Sequence, residues 1–116
     1  MNTHNCVFCK IIAKQLPSKV ITETQGIIVI DNIAPKTPIH YLIIPKKHIS
    51  DITALQPEDA TLAGEMVLMA KQLAAQLPGS QAFRLSVNNG PDAGQSVFHL
   101  HFHFLAGKIF LEDVHV

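Results

Sequence analysis

The feature that most constrains this chain is a run from Gln95 to Leu105, in which three histidines alternate with large apolar residues. Strict alternation is typical of a half-buried β-strand, on which residues two apart share a face about 6.5–7 Å from one another. His99, His101 and His103 are therefore predicted to form one row of imidazoles. The apolar side chains between and beside them are predicted to point into a core; these are Phe98, Leu100, Phe102 and Phe104. Three titratable groups on one firm scaffold indicate a functional site.

Composition limits the partners of this site. The 116 residues are enough for one domain with one core, and we assign residues 1–116 to it. Nine basic and nine acidic side chains give a formal net charge of zero, so there is no basic field for a nucleic acid. No run approaches the ~18–20 apolar residues of a membrane span, and the N-terminus does not resemble a signal peptide. We expect a cytoplasmic protein that binds neither nucleic acid nor membranes.

The rest of the pattern predicts a mostly antiparallel sheet with one long helix against it. The histidine strand is preceded by a short helix at 6–14 and by strands at 20–23, 27–31, 40–44 and 83–87. Pro57 begins a helix of about twenty residues, which Pro78 and Gly79 end. Its apolar residues recur at helical spacing, and they are Leu62, Met66, Ala70, Leu73 and Leu77. This order of elements predicts an α+β domain with five strands.

A polar, glycine-containing loop at residues 88–96 leads directly into the histidine run. Glycines such as Gly94 let a backbone approach a ligand closely and turn its N–H groups toward an anion. Ser96 adds a hydroxyl group that can donate or accept a hydrogen bond. An ordinary connecting loop is the alternative, but beside three histidines we interpret this segment as a phosphate cradle.

Cys6 and Cys9 have the spacing of half a zinc site. The two missing ligands must then come from elsewhere, and His48 and His99 are available. For the cysteine pair alone, two inert thiols or a redox pair remain alternatives.

The histidine run resembles the signature of the histidine-triad, or HIT, superfamily, in which three histidines alternate with apolar residues. The segment 37–50 is similar to the corresponding segment of the Hint branch, and so are the loop residues Asn88, Gly94, Gln95 and Ser96. The resemblance covers the chain from Cys6 to Gly107. It implies an α+β fold with a five-stranded antiparallel sheet, and a homodimer joined through the helix and the sheet edge. The implied activity is hydrolysis of purine nucleoside 5′-phosphoramidates and acyl-nucleotides, with no metal needed for the chemistry.

The resemblance also implies a role for each site residue. His101 would be the nucleophile, attacking the α-phosphorus to form a nucleotidyl-histidine intermediate, and a neutral imidazole suits this task near pH 7. His103 and the Gly94–Ser96 amides would hold phosphate oxygens, His40 would support the phosphate site, and Ser96 would help to protonate the leaving amine. The implied nucleotide contacts are Asp31 and Asn32 at the ribose, Val7, Phe8 and Ile11 at the base, and Asn88, Gly94, Gln95 and Ser96 at the phosphate.

In HIT proteins with an N-terminal Cys-x-x-Cys, the two cysteines, a later histidine and the first triad histidine hold a structural zinc. The matching residues here are Cys6, Cys9, His48 and His99. This assignment removes His99 from direct catalysis. After Gly107 the sequence lacks the tryptophan-proline tail that reaches the partner subunit's site in typical Hint proteins, so the leaving-group preference does not follow from the resemblance.

Three alternatives to the phosphoramidate hydrolase stay open. A dinucleoside polyphosphate hydrolase of the same superfamily is the nearest, although the Gly94-Gln95-Ser96 prefix favours phosphoramidates. A module in which all three triad histidines hold one metal would leave the loop and His40 unexplained. A non-catalytic nucleotide-binding protein is the third, but every motif position is filled.

Overall fold

The computed structural model describes residues 5–108 of the chain. Within them the chain forms helices α1 (Val7–Ile12) and α2 (Ala60–Ala74) and strands β1 (Val20–Glu23), β2 (Ile27–Asp31), β3 (Ile39–Pro45), β4 (Phe83–Ser86) and β5 (Phe102–Ala106). The strands lie in the order β1-β2-β3-β5-β4, and every neighbouring pair is antiparallel. The predicted α+β class with its five-stranded antiparallel sheet is confirmed. Among the helices of residues 5–108, none combines the length and the apolar character needed to cross a membrane.

The long predicted helix begins with a 3₁₀ turn at Pro57–Asp59 and continues as α2. The Asp59 carboxylate accepts the Gln56 backbone N–H at 2.9 Å and the Lys47 ammonium at 2.6 Å. These bonds tie the helix start to the segment that leaves β3. The buried face of α2 packs on one side of the sheet through Met66, Met69, Ala70 and Leu73. The methionines are therefore core residues.

Strand β2 is apolar at residues 27–30 because both of its faces are covered there. Ile27 and Val29 belong to the cluster beneath α2, whereas Ile28 and Ile30 pack with α1 on the opposite face. The residues of α1 that fill this second cluster are Phe8 and Ile11. The short helix is thus attached to the face of the sheet opposite α2.

The histidine run departs from the predicted strand. Strand β5 begins at Phe102 because its pairing with β3 ends at the Ile43–Phe102 pair, so only His103 of the three histidines lies in the sheet. The preceding residues leave the ladder, and the Leu100 N–H donates to the Ile49 carbonyl at 2.6 Å. Leu100 and Phe104 are buried as predicted, but Phe98 is 52% exposed, which corrects its assignment to the core. The atypical residues 109–116 lie outside the described part of the chain.

Candidate active site and metal-ligand cluster

Two cysteines and two histidines meet where α1, the end of β3 and the segment before β5 converge. Their ligand atoms all lie within 4.8 Å of one another. The His99 Nδ1 lies 3.3 Å from the Cys6 Sγ and 3.6 Å from the Cys9 Sγ. The His48 Nδ1 lies 3.2 Å from the Cys9 Sγ and 3.1 Å from the His99 Nδ1. Ligands around a tetrahedral zinc are separated by about 3.3–3.8 Å, given bonds of about 2.3 Å to sulfur and 2.0–2.1 Å to nitrogen. The four residues therefore fit a zinc ion.

Backbone hydrogen bonds orient two ligands of this cluster, Cys6 and His99. Cys6 precedes α1, and its Sγ accepts the Cys9 N–H at 3.3 Å, which folds the pair onto one helical turn. His99 is fully buried, and its Nε2–H donates to the Pro45 carbonyl at 2.7 Å. The His99 Nδ1 consequently carries the lone pair that a metal requires.

Burial disfavours charge on two ligands of this cluster. Burial lowers the pKa of His99 to about 4, so its ring stays neutral. Burial, followed by the hydrogen bond and charge of Cys6, raises the pKa of the Cys9 thiol to about 11. A bound metal ion would supply the positive charge that stabilises the thiolates.

His101 faces away from the metal cluster. Its Nδ1–H donates to the His99 carbonyl at 2.8 Å, which leaves the lone pair on Nε2. The ring packs edge-on against Phe8 with centroids 5.1 Å apart. Burial lowers the pKa of His101 despite the opposing effect of the carbonyl. The residue is therefore a neutral imidazole held in one tautomer, as a nucleophile must be.

His103 is protonated on the other ring nitrogen, Nε2, and the cause is its hydrogen bond with His40. The Lys36 backbone N–H donates to the His40 Nδ1 at 3.0 Å, so the proton of neutral His40 resides on Nε2. That Nε2–H donates to the His103 Nδ1 at 2.9 Å, and His103 must then carry its own proton on Nε2. Burial, with smaller effects of His101 and His40, lowers the pKa of His103 to about 4. An electron-pair donor at His101 and a hydrogen-bond donor at His103 thus lie side by side, with ring centroids 5.2 Å apart.

A cavity of about 490 Å³ opens onto these two imidazoles. Eight of the predicted site residues line it, namely Val7, Phe8, Ile11, Asp31, Asn32, Ser96, His101 and His103. The sequence analysis missed the rest of the lining, which is Leu16, Pro17, Ser18, Ile30, Ile33, Leu42 and Val97. Ile33 is fully exposed, and a lone exposed isoleucine is a weak sequence signal. The cavity has the size and the mixed apolar and polar lining of a small-molecule site.

Asn32 contacts more than the cavity. Its Oδ1 accepts the Ala34 N–H at 2.9 Å, and its Nδ2 lies 3.2 Å from the His40 Nε2. Because the His40 Nε2 carries the proton that it donates to His103, the Asn32 Nδ2 is a neighbour of that ring and not its hydrogen-bond partner.

Fewer residues of the loop at 88–96 line the larger cavity than the phosphate-cradle interpretation predicted. The N–H groups of Gly94 and Gln95 donate within the loop, to the carbonyls of Pro91 at 3.0 Å and Gly90 at 3.1 Å. The buried Gln95 side chain joins the loop to the Ser50 carbonyl at 2.8 Å. Both residues therefore shape the loop, and Ser96 is the cradle residue that lines the cavity.

Asn88 and His40 lie on the far side of His103. They line a separate cavity of about 340 Å³, to which Lys36, Ser86 and His103 also contribute. Asn88 is therefore near His103, although it does not line the larger cavity.

Comparisons with known proteins agree with this architecture. A family model described as "Scavenger mRNA decapping enzyme C-term binding" matches residues 5–110. An uncharacterised HIT-like protein of Synechocystis sp. is 41% identical over 104 residues, covering 90% of this chain and 91% of its own length. A HIT family hydrolase from Legionella pneumophila superposes with a TM-score of 0.88 at 37% identity, covering 94% of this chain and 98% of that one.

One solved structure bears on the metal cluster. It is described as a zinc-bound histidine triad family protein from Mycobacterium smegmatis, with a TM-score of 0.77 at 32% identity. The match covers 92% of this chain and 78% of that one.

The fold and the paired imidazoles define a hydrolase-type site on an α+β scaffold. The chain belongs to the HIT superfamily. At the level of the family, its role is that of a nucleotide hydrolase.

Proposed function

We propose that this protein hydrolyses purine nucleoside 5′-phosphoramidates and acyl-nucleotides through a covalent intermediate on His101. The observation that supports this most directly is that His101 is protonated on Nδ1, whereas His103 is protonated on Nε2. The first offers an electron pair to phosphorus, and the second offers an N–H to a phosphate oxygen at the same end of the cavity. Such a pair suits phosphoryl transfer without a metal at the reacting centre.

In the first step the His101 Nε2 forms a bond to the α-phosphorus, and the bond from phosphorus to the leaving nitrogen breaks. The leaving nitrogen keeps the electron pair and takes a proton from the Ser96 hydroxyl, which regains one from solvent water, so that the leaving group departs as an amine. The positive charge that develops on the imidazole is stabilised by the Nδ1–H bond to the His99 carbonyl.

In the second step a water oxygen attacks phosphorus, and the bond from phosphorus to Nε2 breaks. The electron pair returns to His101, a water proton passes to solvent, and a nucleoside 5′-monophosphate is released. His103 donates its Nε2–H to the phosphate in both steps, while His40 keeps that proton in place.

Nucleotide binding is assigned to the rest of the cavity. Asp31 is partly exposed at its rim and would accept the ribose hydroxyls. The apolar wall of Val7, Phe8 and Ile11 would pack against the base.

The metal cluster is proposed to hold one structural zinc. Four of the distances between its donor atoms, from 3.1 to 3.6 Å, lie near the tetrahedral spacing, and the zinc-bound relative supports the choice of metal. The cluster includes neither His101 nor His103, and within residues 5–108 no other grouping of metal-binding side chains is found. This arrangement argues against a shared metal on all three triad histidines.

We also propose a cytoplasmic homodimer. Val67 and Leu68 are 53% and 61% exposed on the outer face of α2, and β4 is an edge strand of the sheet. An exposed apolar patch and a sheet edge formed by β4, which ends near Ser86–Asn88, are features that suit a second copy of the chain. Light scattering at micromolar concentration should give twice the chain mass, and a monomer mass would contradict the assignment.

The function is tested by turnover of an adenosine 5′-phosphoramidate. Protein quenched during the reaction should carry a nucleotidyl group on the peptide that contains His101, as seen by mass spectrometry. An adduct on His99 or His103, or no hydrolysis at all, would contradict the proposal. A faster reaction with a dinucleoside polyphosphate would favour that alternative.

A further inference from the structure

A second depression of about 420 Å³ adjoins the nucleotide cavity. The two share Val7, Ser96 and Val97, so they meet at the proposed proton donor. A group that leaves phosphorus beside the Ser96 hydroxyl therefore has this depression next to it.

The described part of the lining has no formally charged side chain. Among residues 5–108, no lysine, arginine, aspartate or glutamate contributes to it. Its apolar surface comes from Val7, Val97 and Phe98, and its polar groups include the side chains of Asn5 and Ser50. Such a surface favours an uncharged apolar group, because a carboxylate would lose water without gaining a counter-charge.

Phe98 has no role in the core or in the nucleotide cavity. It is 52% exposed, although the residues on either side of it, Val97 and His99, are more buried. An exposed aromatic ring at the rim of a concave site offers a flat contact surface at small entropic cost.

The floor of the depression is held rigidly. Cys6 and His48 line it and belong to the metal-ligand cluster. Ser50 is connected to the loop through its carbonyl, which accepts the Gln95 amide at 2.8 Å. The surface is therefore preorganised, which lowers the cost of binding.

We propose that this depression, lined by Ser96, Val97 and Phe98, is the leaving-group subsite, and that it selects neutral amines with an aromatic or bulky apolar substituent. The inference rests on the proposed function and specifies its substrate class. The cavity beyond His103 has the opposite character, since Lys36 contributes to its lining, and it would suit an anionic leaving group.

The test uses three adenosine 5′-phosphoramidates, made from ethylamine, 2-phenylethylamine and β-alanine. All three release primary alkylamines, so the comparison reports contacts made by the substituent more than the chemical step. The quantity measured is kcat/KM for the full chain, expressed as the ratio of the phenylethyl to the ethyl compound. The variants are Phe98→Ala, Phe98→Tyr and Ile52→Ala, the last removing a 40% exposed apolar side chain that lines neither cavity.

We expect the wild type to prefer the phenylethyl compound, and the β-alanine compound to be the poorest substrate. Phe98→Ala should lower the phenylethyl-to-ethyl ratio about three- to tenfold, whereas Phe98→Tyr, which keeps the ring, and Ile52→Ala should preserve it. A ratio unchanged by Phe98→Ala, or a preference for the β-alanine compound, overturns the subsite while leaving the proposed function intact. If the wild type hydrolyses none of the three compounds, the proposed function and the subsite both fail.

Discussion

The metal cluster and the imidazole pair use histidines from one short run, yet His99 and His101 present different ring nitrogens as electron-pair donors. His99 donates its Nε2–H to the Pro45 carbonyl and offers Nδ1 to two sulfur atoms. His101, two residues later, donates its Nδ1–H to the His99 carbonyl and keeps Nε2 for the cavity. The same residue type at the same spacing thus serves a metal or a reaction according to the backbone group that holds its proton.

The difference also shows how the two regions depend on each other. The carbonyl that orients His101 belongs to His99, whose own ring is held within the cluster. Metal binding is therefore expected to act on catalysis by positioning, and the reacting atoms remain those of His101 and His103.

The substitution that best distinguishes the two regions is His101→Ala, and we expect it to cause the largest loss of activity. Alanine offers no nucleophile, so kcat should fall at least ~10³-fold, while nucleotide affinity changes little. Zinc content should stay at the wild-type value, because His101 is not in the cluster. Kinetics together with metal analysis of the same preparation checks both statements, and loss of zinc with the mutation would contradict the division.

His103→Ala should have the next largest effect. It removes one hydrogen-bond donor to the phosphate but not the attacking atom, so kcat should fall about 10²–10³-fold. His40→Ala should reduce kcat in the same direction, because the His103 proton would no longer be held on Nε2. Steady-state kinetics of both variants checks this, and a larger loss in His103→Ala than in His101→Ala would reverse the assignment of the nucleophile.

On the metal side, Cys9→Ser should remove the zinc and lower the melting temperature by several degrees. The cluster joins α1 to β3 and to the segment before β5, so its loss frees three parts of the chain. A chelator should lower the melting temperature of the wild type but not of Cys9→Ser. Calorimetry with and without chelator provides the measurement, and an equal response of both proteins would count against the cluster as the metal site.

The smallest expected effect is on the pH dependence of stability. The pKa of His103 is lowered to about 4 in the folded protein, against about 6.5 in the unfolded chain. Between these values the unfolded chain binds the extra proton, so this residue makes the free energy of unfolding fall as the pH drops from about 6.5 to about 4. The groups that face it, His40 and His101, are present in both the wild type and His103→Gln. Denaturant titrations should show a shallower acid loss in His103→Gln, and equal slopes would contradict the lowered pKa.

The elements of the fold were largely predictable because they depend on local patterns. The apolar run of β2 and the spacing of Met66, Ala70 and Leu73 each specify an element and its buried side. The alternation of the histidine run correctly predicted that Leu100 and Phe104 are buried, but its prediction of a buried Phe98 was wrong. Phe98 lies outside the sheet because the pairing of β5 with β3 ends at Phe102 and Ile43, and no local pattern contains that limit.

The sequence by itself determined the histidine spacing, the Cys-x-x-Cys pair and the residue types that surround the cavity. Only the tertiary structure decided which ring nitrogen His99 and His103 present. The partners responsible are 54 residues apart for His99 and Pro45 and 63 residues apart for His40 and His103. It also decided that the Gln95 side chain binds the Ser50 carbonyl and that Ser96 lines two cavities. The physical reason is that a hydrogen bond extends only about 3 Å, so its partner depends on how distant segments pack.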